Sequence, residues 1–206
     1  MTATTTPARR RWDPIVRITH WSIALAVLAN ALLTEEGSGP HIWVGYGLAA
    51  ILALRLLWGL VGPAEARFAA FWPSPRKAFA HLRDIRAGTV TPHASHNPLG
   101  ALMVYAIWVC LLTIIATGIT MAGPPPWDGA EREAEHRSAV VSGESHEEAS
   151  EEGDSEEEGE EGLLGEIHET AANLLYLLIL LHLAGVIFET RRSGKQVLVA
   201  MAPFGR

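Results

Sequence analysis

The chain has a single cysteine among its 206 residues, and Cys110 lies in the middle of an apolar run. An intrachain disulfide is therefore excluded, no thiolate cluster is available to a metal, and the thiol reads as a small packing residue. Charge is also thin, at 19% of residues, and it is gathered into short stretches that leave apolar runs of about 20 residues between them. Runs of that length far exceed a soluble core helix, so a large soluble core is not expected and the membrane class is. Basic residues are nearly missing from one region. Residues 128 to 162 hold 15 acids and 2 bases, a balance of −13, whereas the remaining residues hold 8 acids and 14 bases, a balance of +6. The overall −7 thus averages a basic membrane body with one acidic insert. Nothing in this pattern calls for a nucleic-acid partner.

Taken in order, residues 1–14 form a basic leader closed by Arg9, Arg10 and Arg11, with Asp13 and Pro14 as a helix N-cap and first helical residue. The first span is expected over about 15–33 and carries His20. A cleavable signal peptide with an Ala29-Asn30-Ala31 site is the competing reading. Cleavage would discard His20, and the apolar run continues through Leu33 instead of opening into a mature domain. After a short turn, the second span covers about 41–60, with His41 at its opening, Arg55 about two turns before its end and Gly62-Pro63 as the stop. Arg55 either snorkels to the headgroups or pairs with a cofactor carboxylate.

Residues 64–97 form a basic connection. Phe79, Leu82 and Ile85 at helical spacing after Pro73 and Pro75 predict a short helix on the membrane surface. His81 and His93 read as ordinary surface residues. His96 immediately precedes Asn97-Pro98, the start of the third span; it reads first as an ordinary surface residue, with contact to a headgroup, a substrate or a cofactor edge as the alternative. The third span, about 98–121, has no histidine and reads as scaffold, with Tyr105 and Trp108 as packing or anchoring aromatics. Residues 125–162 are the acidic insert, expected to be disordered. The fourth span covers about 166–189, and a basic tail, 191–206, closes the chain. Spans 15–124 and 163–190 make one transmembrane domain.

Orientation follows from the basic residues. Of 16 lysines and arginines, only Arg132 and Arg137 lie in the insert-side connections, and Arg55 is within a span. The other 13 lie at the leader and start of the first span, in the 64–97 connection or in the tail. Both termini are therefore expected in the cytoplasm and the insert outside the inner membrane.

Depth then sorts the histidines. His168 and His182 are fourteen residues apart on the fourth span, a step of ~21 Å that ends about 40° from where it began. Both imidazoles face roughly the same way, one near each membrane surface. His20 lies at the cytoplasmic level with His182, and His41 at the outer level with His168. Ionisable residues within a membrane are costly and mark function by default. Interhelical hydrogen bonding would account for a lone histidine; four at two matched depths suit two six-coordinate haem irons in a four-helix bundle. Zinc is the rival ligand-taker, but it wants three or four ligands, and only Glu166, Glu169 and His96 stand near to supplement each pair. Gly45, Gly185, Ala171 and Ala172 beside the histidines provide clearance for a flat macrocycle, or simply for close helix packing.

The segments WDPIVRITHW, HIWVGYGLAAILALRLLWGLVGP, ARFAAF, SHNPLGALMVY and EIHETAANLLYLLILLHLAG resemble the bacterial cytochrome b561 group and the b-type cytochrome subunits of nickel-iron hydrogenases. The resemblance covers nearly all of the chain outside the leader and the insert. It implies an all-α membrane protein, a four-helix bundle with two haems b whose axial ligands match His20, His182, His41 and His168. It further implies single-electron relay between the quinone pool and a partner at the outer face, a periplasmic c-type cytochrome or a hydrogenase-like enzyme. A superoxide-to-quinone oxidoreductase is a different outcome, disfavoured by the −13 insert on the face that would attract an anion. A haem-free metal-binding membrane protein, using the insert, is another. Quinone is expected to meet the cytoplasmic haem near Arg17, Arg55 and His96, the polar groups gathered at that level. The long glutamate-rich insert departs from the short loops associated with the family.

Overall fold

The computed structural model describes residues 12–87, 98–123, 153–194 and 196–202. The leader through Arg11, His93, His96 and residues 125–152 of the acidic insert lie outside the described residues. Helix α1 is Pro14–Leu32, α2 Gly39–Val61, α3 Pro75–Arg86, α4 Pro98–Ala122, α5 Gly153–Ser193 and α6 Gln196–Met201, with a 3₁₀ turn at Phe68–Phe71. Four of these, α1, α2, α4 and the Gly162–Arg192 part of α5, are long and apolar enough to cross a membrane. No strand occurs among the described residues.

Local chemistry sets the ends. Asp13 caps α1, its Oδ1 accepting from the amides of Ile15 at 2.9 Å and Val16 at 3.2 Å, while Pro14 fills the first helical position without wasting a donor. The same Oδ1 accepts from Trp58 Nε1 at 3.0 Å, so the cap also ties the start of α1 to the end of α2. Ser38 caps α2 after Gly37, whose φ of 70° is a left-handed conformation that glycine adopts without strain. Ser74 and Pro75 open α3 in the same serine-then-proline manner. The fourth spanning helix begins earlier than its apolar run: the backbone is helical from Gly153 onward, continuous through the end of the acidic insert into the span.

The spans pack as two hairpins, α1 along α2 and α4 along α5, joined by α2 against α4. Leu48 and Leu52 of α2, Cys110 and Leu111 of α4 and Leu175 of α5 make the buried centre, with Ile23, Ala26 and Val27 of α1 against it. Large apolar side chains on the outer surfaces, such as Leu25, Leu57, Val109, Leu180 and Ile187, remain exposed. A bundle whose solvent is lipid keeps such a surface, because backbone polar groups are satisfied within each helix. Cys110 is buried and free, in keeping with its packing role.

Residues 153–162, expected to be disordered, are thus helical, and two further elements differ from expectation. α3 packs on α4, and His81 is only 5% exposed, so it is a buried residue and not a surface one. Phe79 and Leu82 of the same helix face outward. The tail carries a further helix, α6, which folds back over the start of α1. Trp12 N donates to Ala200 O at 3.4 Å, Arg17 Nη1 to Ala202 O at 3.2 Å and Trp21 Nε1 to Met201 O at 2.8 Å. The beginning and end of the described chain therefore meet at one end of the bundle, called here the terminal end; the other is the insert end.

Candidate functional site

α5 supplies two of the four histidines, and each meets one histidine from the other hairpin. His182 faces His20 of α1 with ring centroids 6.3 Å apart and planes at 52°; His168 faces His41 of α2 at 6.3 Å and 55°. The first pair lies toward the terminal end, the second toward the insert end. Two imidazoles bound to opposite sides of one metal require two bonds of about 2 Å plus about 1 Å from each nitrogen to its ring centre, roughly 6 Å in all. Direct hydrogen bonding between two imidazoles would draw the rings closer, since it needs a nitrogen–nitrogen approach near 3 Å. No group of three or more His, Cys, Asp or Glu able to hold a metal ion occurs among the described residues, which removes the usual zinc arrangement there.

Hydrogen bonds fix which nitrogen each insert-end ring can offer. Thr117 Oγ1 donates within α4 to Thr113 O at 2.8 Å and Ile114 O at 3.2 Å, so its one proton is committed. With that proton on the α4 backbone, the Thr117 oxygen is placed to accept from His168 across a 2.9 Å contact when the imidazole proton is on Nδ1. In that tautomer His168 keeps the Nε2 lone pair. Thr34 Oγ1 likewise has oxygens of Asn30 at 3.1 and 3.3 Å and His41 Nδ1 at 3.4 Å, and Asn30 Nδ2 donates to His41 O at 3.2 Å. Gly118 lets the His168 ring approach, for a Cβ there would come within 3.2 Å of Cε1. At the terminal end, His20 Nδ1 is buried with no partner among the described residues, and Trp21 packs edge-on against the His20 ring at 5.6 Å. A Cβ added at Gly45, Gly47 or Gly185 meets nothing within 4 Å.

The other sequence candidates separate. Arg55 is turned inward, 5% exposed, with its guanidinium carbon 5.3 Å from the Trp108 ring centroid and Nη2 3.5 Å from Ala66 O. Its Nη1 is buried without a partner, as is the hydroxyl of Tyr105, whose ring is 5.4 Å from Trp108. Phe68 and Phe71 complete this aromatic cluster. Arg55 does not snorkel. Arg17 is engaged by the Ala202 carbonyl, its Nε buried and unpartnered. Arg17 and Arg55 therefore have separate hydrogen-bond partners.

Sequence reasoning missed Thr117, Thr34 and Gly118. Their only sequence signal is position: Thr34 falls fourteen residues after His20, at the level of His41, and Thr117 is a hydroxyl inside a span otherwise read as scaffold.

The family model of prokaryotic cytochrome b561 matches residues 11–204. The chain belongs to that family. Comparisons with curated proteins and with solved structures gave no match. Membership makes the chain a membrane b-type cytochrome of electron transfer, as its four apolar helices accord with. Haem b is the cofactor associated with the family. The two imidazole separations fit such a group.

Proposed function

We propose that this cytochrome b561-family chain holds two haems b, one between His20 and His182 and one between His41 and His168, and relays single electrons across the inner membrane between the quinone pool and a periplasmic partner. The observation that carries this reading is the equal 6.3 Å separation of both histidine pairs, each bridging the two hairpins. Haem b supplies a one-electron couple, and with two histidines on each iron no coordination position is left for oxygen chemistry. The fourteen-residue step on α5 sets the two levels ~21 Å apart, less between macrocycle edges. With the basic residues toward the cytoplasm, the terminal end is the cytoplasmic one and the insert end faces the periplasm. Quinone then meets the cytoplasmic haem, where Arg55 presents a buried donor; His96, before α4, is the second candidate contact. The periplasmic partner is a c-type cytochrome, met at the His41 and His168 level.

The direct test is a pyridine haemochrome assay with protein quantification on the purified chain. Two haems b per chain are expected; one or none sinks the reading. His20→Ala and His182→Ala should each remove the same spectral component and spare the other, and unlike losses would overturn the pairing. His96→Ala should slow quinol-driven reduction with both haems retained. An unchanged rate moves the quinone contact elsewhere.

A further inference from the structure

The two histidine pairs are not equivalent in what lies behind the rings. At the insert end, both Nδ1 atoms have a threonine hydroxyl behind them: Thr117 at 2.9 Å from His168 and Thr34 at 3.4 Å from His41. At the terminal end, His20 Nδ1 is buried with no partner among the described residues. The Thr117 contact is the shorter of the two. Thr117 is buried and its hydroxyl is placed to donate to the α4 backbone, which leaves the oxygen to accept from Nδ1–H. Gly118, next in sequence, keeps the ring seated against α4 by offering no Cβ.

We infer that Thr117 is a positioning residue for the insert-end haem that also sets its potential relative to the terminal-end haem. Accepting a hydrogen bond from Nδ1–H does two things to a metal-bound imidazole. It locks the tautomer and rotation of the ring, so Nε2 stays available to the iron, and it raises the ligand's basicity. A more basic imidazole favours the oxidised iron. Thr117 therefore holds the potential of the insert-end haem below the value the same ligands would give without it, and the orphaned His20 nitrogen at the terminal end receives no such assistance from the described residues. Thr34, at longer range, acts in the same direction on His41 with less force. The result is two chemically similar centres, each with two histidines, made unequal by one hydroxyl on α4, which supplies no ligand, and another in the turn between α1 and α2.

This inference rests on the two-haem reading, and the haemochrome count on the unaltered chain separates the two: fewer than two haems there condemns that reading before Thr117 is considered. The experiment is a potentiometric titration of the full-length chain in detergent, followed at the haem absorption bands, for the unaltered protein, Thr117→Val and Thr117→Ser. Valine keeps the shape and removes the acceptor; serine keeps the acceptor. In Thr117→Val the wave of one haem should shift upward while the other stays in place, and Thr117→Ser should return it toward its original position. The wave that moves must be the one that persists in His20→Ala. Should Thr117→Val bind less haem, the expected loss is of that same haem alone, restored by serine. The inference is overturned by unmoved waves, by movement of the haem that depends on His20, by a downward shift, or by loss of both haems together, which would mark Thr117 as a general packing residue.

Discussion

Arg55 shows what a single residue in this bundle can say about an absent partner. A guanidinium at 5% exposure, with one nitrogen unpartnered and another at 3.5 Å from a carbonyl, is poorly compensated by the protein alone. Stacking over Trp108 is worth about 0.5–2 kcal/mol, less than a buried cation costs. Replacing such a group by an apolar one of similar length is often neutral or stabilising for the bare fold. Arg55→Met should therefore leave the thermal stability of haem-depleted protein within about 1 kcal/mol of the original, yet, if the free Nη1 pairs with a cofactor carboxylate and not with quinone, weaken retention of the haem proposed at the His20 and His182 level. Thermal unfolding with and without haem, alongside haem content after gel filtration, checks both halves. A large loss of apoprotein stability with full haem retention would reduce Arg55 to a packing residue. The sequence exposed Arg55 as an ionisable group in a span but left its direction open, because that depends on where Trp108 of another helix lies.

At the scale of elements, the four spans and the two histidine levels were legible because both are one-dimensional signals: an apolar run has a length, and a helix converts residue number into depth. What was not legible depends on contacts between elements. His81 belongs to a short helix whose exposed Phe79 and Leu82 pointed to a surface position; only the packing of α3 on α4 buries the histidine. Thr117 is an ordinary threonine until α5 brings His168 to it. The α6 fold-back is invisible for the same reason, since its carbonyls are specified by Arg17 and Trp21 some 180 residues earlier. A close contact of the same kind fixes the 64–72 connection against α2: Gly59 is buried, and a Cβ there would collide with the Phe68 ring. Phe68 in turn packs at 5.2 Å on Trp108, so the ring cannot retreat freely. Gly59→Ala should cost roughly 1–3 kcal/mol as an overpacking substitution, and Phe68→Leu in the same chain should recover part of it. Thermal inactivation midpoints of the single and double variants decide this. Equal stability of Gly59→Ala and the unaltered chain would mean that the loop is not pinned there.

For the molecule as a whole, the remaining question is how a bundle with a lipid-facing apolar surface selects a partner at its insert end. Residues 130–152 hold eight acids and two arginines, a net −6, and lie before the helix that begins at Gly153. On the function proposed, charge in this stretch would steer an approaching partner and not fix a docking geometry, an effect screened beyond a Debye length of ~8 Å at physiological salt. Attraction of that sort raises encounter rates by about 10 to 1,000-fold and fades steeply with ionic strength. A cationic c-type cytochrome would be drawn toward the His41 and His168 level, and anionic reagents repelled. A metal-buffering role for His136, His146 and the glutamates predicts tight divalent binding instead. Deleting residues 130–152 keeps α5 whole, so stopped-flow oxidation of the reduced chain by a cationic cytochrome, at low and high salt, isolates the charge effect. The deletion should slow the reaction at low salt by about tenfold or more and flatten its salt dependence, while leaving the high-salt rate and the haem content unchanged. If the low-salt rate and its slope survive the deletion, attraction by residues 130–152 plays no part in partner choice, and isothermal titration of the intact chain with zinc becomes the measurement that gives the segment a role.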